Sequence, residues 1–270
     1  MKTPILTLYE LDAQVVAFST TRHGGYSTGQ YGEFNINRFC GDDEDAIAHN
    51  HKALCLLLGI DNNRLLMPHQ VHRADVACID ASFFTLTQAE RKAKLEGIDA
   101  VMTNLQGVCI GVSTADCIPI LLCDLQKHVV AAVNAGWRGT VQRIAKKAVE
   151  TMKATYGSSP SDLLAQIGPG ISLKSFEVGQ EVYDAFAAEG FCMESISRLK
   201  PISQGFGNRE KWHIDLPACN RLQLLEAGLQ NEHIHTLPIC TYEQHDDYFS
   251  ARRLGINSGR IFTGIMLKEE

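Results

Sequence analysis

The chain has 270 residues, 45% of them hydrophobic, and a formal net charge of -6. That length and apolar content suffice for one domain with a substantial core, and a negative balance without a basic tract argues against a nucleic-acid partner. Nine cysteines without a CxxC pair, no leader pattern at Met1-Lys2-Thr3-Pro4 and no long apolar span predict reduced thiols in a cytoplasmic protein that does not enter a membrane.

Val15 to Thr20 reads as a strand that delivers Arg22-His23-Gly24-Gly25 into a loop. Arg22 suits a phosphate or carboxylate there, and suits equally a role as brace for a glycine-rich turn. Asp42 and Asp43 open a helix with Ile47, Leu54, Leu57 and Leu58 on its apolar side and Gly59 at its end, which leaves His49 and His51 toward solvent. Leu65 to His72 passes from apolar to polar before strand character resumes at Asp75 to Ile79. His69 and His72 stand three apart; in an extended chain such residues point to opposite faces, so the two do not serve one metal ion. Phe83 to Leu95 reads as a loop with a short exposed helix, and strands return at Gly97 to Met102 and Val108 to Val112.

The stretch from Ser113 to Thr140 is the most informative. Ile118 to Leu122 and Val129 to Val133 are continuous apolar runs that read as buried neighbouring strands, and their connector, Cys123 to His128, is too short for a parallel crossover. From Thr140 a helix carries Val141, Ile144, Ala145, Ala148, Val149 and Met152 on one face and Arg143, Lys146, Lys147 and Lys153 on the solvated one, with Gly157 as its cap. Gly136-Trp137-Arg138-Gly139 joins strand to helix. Its glycines permit close approach of a ligand, and the helix start with Arg138 beside it favours an anion. Cys117 either packs as a small hydrophobe or reacts; Asp116 raises its pKa, so reactivity requires a metal ion or cationic partner to stabilise the thiolate.

Further on, Leu163 to Ile167 reads as a strand ending in Gly168-Pro169-Gly170, whose free donors either face a ligand or simply close a turn. Gly190 to Trp212 reads as irregular, with Gly205 to Asn208 a candidate mobile loop over the site. Asp215-Leu216-Pro217 starts a helix with Leu222, Leu224 and Leu225 that stops near Gly228, and Arg260 to Leu267 is a final strand. Strands alternating with helices predict a layered α/β fold with a mixed sheet.

Thr114-Ala115-Asp116-Cys117-Ile118-Pro119-Ile120-Leu121-Leu122 together with Ala135-Gly136-Trp137-Arg138-Gly139-Thr140 resembles the laccase-domain family of bacterial proteins, also called the YfiH/YlmD or polyphenol-oxidoreductase family. The resemblance extends over nearly the whole chain, through Thr21 to Ser27, Gly41-Asp42-Asp43, Gln70-Val71-His72, Ile167 to Ile171, Phe176 to Gly179 and Phe249 to Arg253. It implies a single-domain α/β/α sandwich with a mixed central sheet over residues 1–270. It also implies zinc, or alternatively copper, on the His after Gln-Val, the Cys after Ala-Asp and a His before Ala-Gly-Trp-Arg-Gly. Here these are His72, Cys117 and Asn134, and Phe39 stands where the family often has His. A neutral amide oxygen replaces imidazole poorly on a borderline-soft ion, so the site is expected to be weakened.

The activity implied is phosphorolysis of adenosine, inosine, guanosine and methylthioadenosine, with adenosine deamination. His72 and Cys117 would be catalytic, Arg22, Arg138 and Arg253 would hold phosphate, and Asp116 would orient a ligand or accept a proton. The competing readings are a copper-dependent polyphenol oxidoreductase, a Cys117/His72 hydrolase acting on peptidoglycan precursors, and an impaired descendant of an enzyme.

Overall fold

The computed structural model describes residues 2–201 and 210–269, so Gly205 to Asn208 lie outside the described residues. In chain order its strands are β1 (Leu6–Tyr9), β2 (Val15–Thr20), β3 (Leu65–Leu66), β4 (Val76–Ile79), β5 (Ala100–Thr103), β6 (Cys109–Thr114), β7 (Ile118–Asp124), β8 (Val129–Ala135), β9 (Leu164–Ile167), β10 (Glu177–Val178), β11 (Ser197–Pro201), β12 (Glu210–Ile214), β13 (Ile234–Thr236) and β14 (Ile261–Leu267). The helices are α1 (Glu44–Leu58), α2 (Gln88–Lys94), α3 (Trp137–Val141), α4 (Ile144–Tyr156), α5 (Gln180–Ala188), α6 (Met193–Ile196), α7 (Leu216–Glu226) and α8 (Ala251–Leu254).

Two mixed sheets form the middle of the molecule, one ordered β1-β2-β14-β6-β3 and the other β13-β9-β7-β8-β5-β4. The apolar runs of β7 and β8 pair antiparallel, with Ile118 opposite Ala135, as their short connector requires. Both faces of these strands are covered, which explains why they read as continuous rather than alternating. Ile118, Ile120, Leu122, Ala131, Val133 and Ala135 pack toward α4, α5 and α7. Leu121, Cys123, Val130 and Ala132 pack instead against Ile110, Val112 and Ile265 of the other sheet. That second sheet turns its far face, with Phe18, Cys109 and Phe262, to Leu54 and Cys55 of α1. The expected sandwich with helices outside a mixed sheet is therefore present, with a middle two sheets deep.

Helix ends follow the sequence signals. Asp43 caps α1 by accepting from Ala46 N at 2.8 Å, and Gly59 closes it in the left-handed region. Leu57 is 46% exposed, so the apolar side of α1 is narrower than expected. The helix predicted from Thr140 begins earlier, at Trp137, and breaks at Arg143, whose φ is 62°. Arg143 is not on a solvated face: its guanidinium lies over Phe191 at 3.8 Å and donates to the Glu189 carbonyl. The described residues of the segment from Gly190 to Trp212 are not irregular either; α6, β11 and part of β12 form there, and β10, β12 and β11 make a third, antiparallel sheet. Strongly polar β11 carries no apolar alternation for a sequence reading to detect. All nine cysteines are free thiols, and no helix among the described residues is long and apolar enough to cross a membrane.

Gly111 of β6 and Gly264 of β14 face each other in register, and the Phe262 ring fills the space that side chains would occupy. A Cβ on Gly111 would collide with that ring and reach within 2.6 Å of the Thr263 carbonyl oxygen. Gly111→Ala should therefore lower stability by about 1–3 kcal/mol, read as a drop in the urea midpoint; an unchanged midpoint would show that Phe262 repacks freely.

Candidate functional site

The site is built where the loop before β4, the entry to β5 and the ends of β6, β7 and β8 come together. Its organising group is Asp99, a fully buried carboxylate at the start of β5. Asp99 Oδ1 accepts from His72 N at 3.1 Å and from Asn134 Nδ2 at 2.8 Å, while Oδ2 accepts from Arg73 N at 2.7 Å and Val71 N at 3.2 Å. Three successive backbone N–H groups thus wrap one carboxylate and hold His72 at φ 61°. A left-handed conformation costs a non-glycine residue roughly 1–2 kcal/mol. Hydrogen bonds to a charged acceptor contribute about 1.5–3 kcal/mol each, so the clasp outweighs the strain.

The clasp aims His72 at Cys117. A Cβ added to Gly136 would lie 2.8 Å from Cys117 Sγ and 3.3 Å from His72 Cδ2, so the two side chains converge on a position kept free of a side chain. At Gly139 a Cβ would come within 2.9 Å of the Arg73 carbonyl oxygen. The glycines of Gly-Trp-Arg-Gly therefore serve the approach of α3 to the His72 loop. Gln70 fixes the other end of that loop, accepting from Ser113 N at 2.7 Å and donating to Ser113 O at 3.0 Å.

Asn134 is 1% exposed and sits on the face of β8 turned toward the second sheet. Its amide nitrogen is taken by Asp99, and its Oδ1 is buried without a hydrogen-bond partner among the described residues. Asp116, at φ 91°, has both oxygens engaged: Oδ1 accepts from Thr241 Oγ1 at 2.8 Å and Oδ2 from Arg252 N at 2.7 Å at the start of α8. The Gly168-Pro169-Gly170 turn commits its donors to backbone, Gly168 N to Pro119 O at 2.9 Å and Gly170 N to Ile239 O at 3.4 Å, and Gly170 packs directly on Ile118. It supports Cys117 from behind.

The arginines divide into two groups. Arg22 donates to the carbonyls of Gly32 at 3.0 Å and His245 at 2.6 Å and lies over Phe249, as a brace between loops. Arg138 is exposed, lies over Trp137 at 4.3 Å and has no carboxylate partner among the described residues. Arg253 is likewise exposed, and among the described residues its guanidinium meets only Tyr242, whose hydroxyl is 3.4 Å away. Helix α3 has only five residues, so its dipole adds little to what Arg138 offers an anion.

The surroundings of Cys117 keep its sulfur protonated. Burial, then the charges of Asp116 and Asp99, push the thiol up to about 12. His72 and Cys117 are nevertheless suitable donors for a zinc-type ion, and the orphaned Asn134 Oδ1 is the kind of buried acceptor that a cation satisfies. The donor set fits such an ion but is one strong ligand short; among the described residues no three His, Cys, Asp or Glu converge to hold a metal. His69 takes no part: its Nδ1 meets Glu96 at 2.6 Å and its ring stacks on Phe39.

Residues 16–268 match the family described as multi-copper polyphenol oxidoreductase laccase. The chain belongs to that family. It is 42% identical over 250 residues to a purine nucleoside phosphorylase of Bacteroides thetaiotaomicron, covering 93% of this chain and 90% of the relative. It is 44% identical over 254 residues to adenosine deaminase RL5 of an unknown prokaryotic organism, covering 94% of both. Among solved structures of the same fold, YlmD of Geobacillus stearothermophilus superposes with a TM-score of 0.83 at 30% identity, over 97% of this chain and 94% of that one. The hypothetical protein YfiH of Bacillus licheniformis gives 0.88 at 26% identity, over 98% and 97%.

With its thiol raised to about 12, Cys117 in metal-free protein should alkylate negligibly at pH 7 and about tenfold faster per pH unit well beyond pH 9, since only the thiolate reacts. Mass spectrometry after iodoacetamide treatment reads each cysteine separately. A rate that levels off near pH 8 would mean that a cation near the sulfur overrides the two carboxylates.

Proposed function

We propose that this family member is a purine nucleoside phosphorylase acting on adenosine, inosine, guanosine and methylthioadenosine, with adenosine deamination as a second activity of the same site. The observation that carries the reading is the convergence of His72 and Cys117 over the bare Gly136, beside an exposed Arg138 that is unpaired among the described residues. The relatives named as phosphorylases and as an adenosine deaminase support it.

In phosphorolysis a phosphate oxygen bonds to the anomeric carbon as the bond from that carbon to the purine nitrogen breaks. Arg138 and Arg253 are the side chains free to hold the phosphate, since Arg22 is engaged with backbone carbonyls. The sugar becomes positively charged on the way, and the carboxylates of Asp99 and Asp116 flanking Cys117 favour that charge. A zinc-type ion, or copper, would be held by His72 and Cys117 with Asn134 Oδ1 as a weak third donor, and would supply a Lewis acid and an activated water for deamination. Asp99 fixes the direction of His72, and Gly136 leaves the room that a substrate needs.

The competing classes are less well served. A hydrolytic nucleophile requires an accessible thiolate, whereas burial and two carboxylates oppose ionisation of Cys117. A laccase reading has the family description behind it, yet the two His-x-His pairs, His49/His51 on α1 and His233/His235 leading into β13, lie on separate elements and add nothing to His72.

Incubation with inosine and phosphate should release hypoxanthine, and with adenosine alone should release ammonia and inosine. Arg138→Ala should raise the apparent KM for phosphate more than that for nucleoside. Asn134→His should increase zinc occupancy and turnover together, by about tenfold or more if a ligand is gained. No hypoxanthine from either the parent chain or the zinc-loaded Asn134→His variant would refute the reading.

A further inference from the structure

A groove of 890 Å³ opens beside His69, and neither His72 nor Cys117 lines it. Its volume falls in the range of small-molecule sites, roughly 300–1,000 Å³. Ile36, Leu65, Leu66 and Phe83, all buried, give it an apolar floor between α1 and α2. On one wall the Phe39 ring stacks on His69 with centroids 3.9 Å apart and 22° between planes, yet Phe39 remains 48% exposed. The backbone N–H of Phe39 donates to Asn37 Oδ1 at 2.6 Å, and Asn37 in turn donates to Ser113 of β6, so the ring is presented from a fixed support.

Charge on the groove is one-sided. Arg38 and Lys92 are exposed and have no carboxylate within ion-pair distance among the described residues. Arg91 is already used, donating to the carbonyls of Leu86 and Phe84, and the acidic Glu96 lies against His69. His51, also on the wall, is held below the usual histidine range by burial and then by the Arg38 charge, so its side chain does not need an acidic neighbour. In a chain of net charge -6, two unpaired cations beside an exposed aromatic face and an apolar floor are a specific combination. Inorganic phosphate would leave the ring face and floor unused, and an uncharged nucleoside would leave the cations unused.

We propose that this groove binds a nucleoside monophosphate, with its base against Phe39 and its phosphate paired with Arg38 and Lys92, at a site separate from Cys117. The inference does not rest on the phosphorylase reading. The groove is joined to the Asp99 clasp through backbone: His69 N donates to Leu95 O and Gly97 N to His69 O, both at 2.9 Å, two residues ahead of Asp99. A ligand held there stiffens the segment that delivers His72.

Isothermal titration of the full chain with adenosine monophosphate, adenosine and inorganic phosphate in separate experiments tests this. The nucleotide should bind at least about tenfold tighter than either of the others, and Arg38→Ala and Lys92→Ala should each weaken it about tenfold, the effect expected for loss of one charge-assisted contact. Phe39→Ala should weaken nucleotide binding about tenfold. Cys117→Ala should leave nucleotide binding unchanged. Binding of the nucleotide no tighter than adenosine, or binding that survives Arg38→Ala and disappears in Cys117→Ala, would overturn the proposal by placing the ligand at the Cys117 site or nowhere.

Discussion

A carboxylate with no exposure to water is costly unless its charge is met by donors, and at Asp99 four N–H groups meet it. The rest of the site depends on that arrangement. It holds His72 in a conformation that a histidine would not adopt unaided, ties Asn134 of β8 to the start of β5, and sets the Arg73 carbonyl against which α3 packs at Gly139. Because three of the donors are backbone, the clasp dictates the path of the chain at 71–73 and not the identity of the side chains there; His72 itself is free to serve chemistry.

The electrostatic consequence is that the site is prepared for positive charge. Asp99 and Asp116 both oppose ionisation of Cys117, and Asn134 Oδ1 is buried with no donor to accept from among the described residues. A cation at the site would relieve all three conditions at once, while phosphate has to approach from the side of Arg138 and Arg253. Substitution of an imidazole by Asn134 keeps the hydrogen bond to Asp99 and gives up a strong donor. The architecture of the site and the strength of its metal binding are therefore separable in this chain.

Much of the fold was legible because its signals are local. Doubly buried β7 and β8 show as unbroken apolar runs, and Asp43, Gly59 and Gly157 mark helix ends by short-range hydrogen bonding and left-handed φ. The pairing of His72 with Cys117 comes from the resemblance, since nothing in the 44 intervening positions forces the two together. Asp99 was read only as part of a strand; an acidic residue entering a run as apolar as Ala100 to Met102 was the available signal, but its partners at 71–73 and 134 are distant in sequence. Arg22, which suits ligand or brace in sequence, and Asp116, which the resemblance makes a ligand-orienting or proton-accepting group, both make scaffold contacts that no periodicity encodes. β11 and β12 lack the alternation on which such readings depend, because β11 is mostly exposed and polar and β12 runs from an exposed start to a buried end at His213 and Ile214.

The central claim is that Asp99 holds His72 against Cys117 so that both face one ligand. Cobalt(II) titration followed by visible absorption tests it most directly, because a thiolate-to-cobalt band requires the Cys117 sulfur and its affinity reports a second protein ligand. The account predicts such a band in the parent chain, its loss in Cys117→Ala, and binding weakened about tenfold or more in both His72→Ala and Asp99→Ala, the latter releasing the backbone of 71–73 and the Asn134 amide that Asp99 holds. A band that persists in Cys117→Ala, or an affinity indifferent to Asp99→Ala, would contradict it.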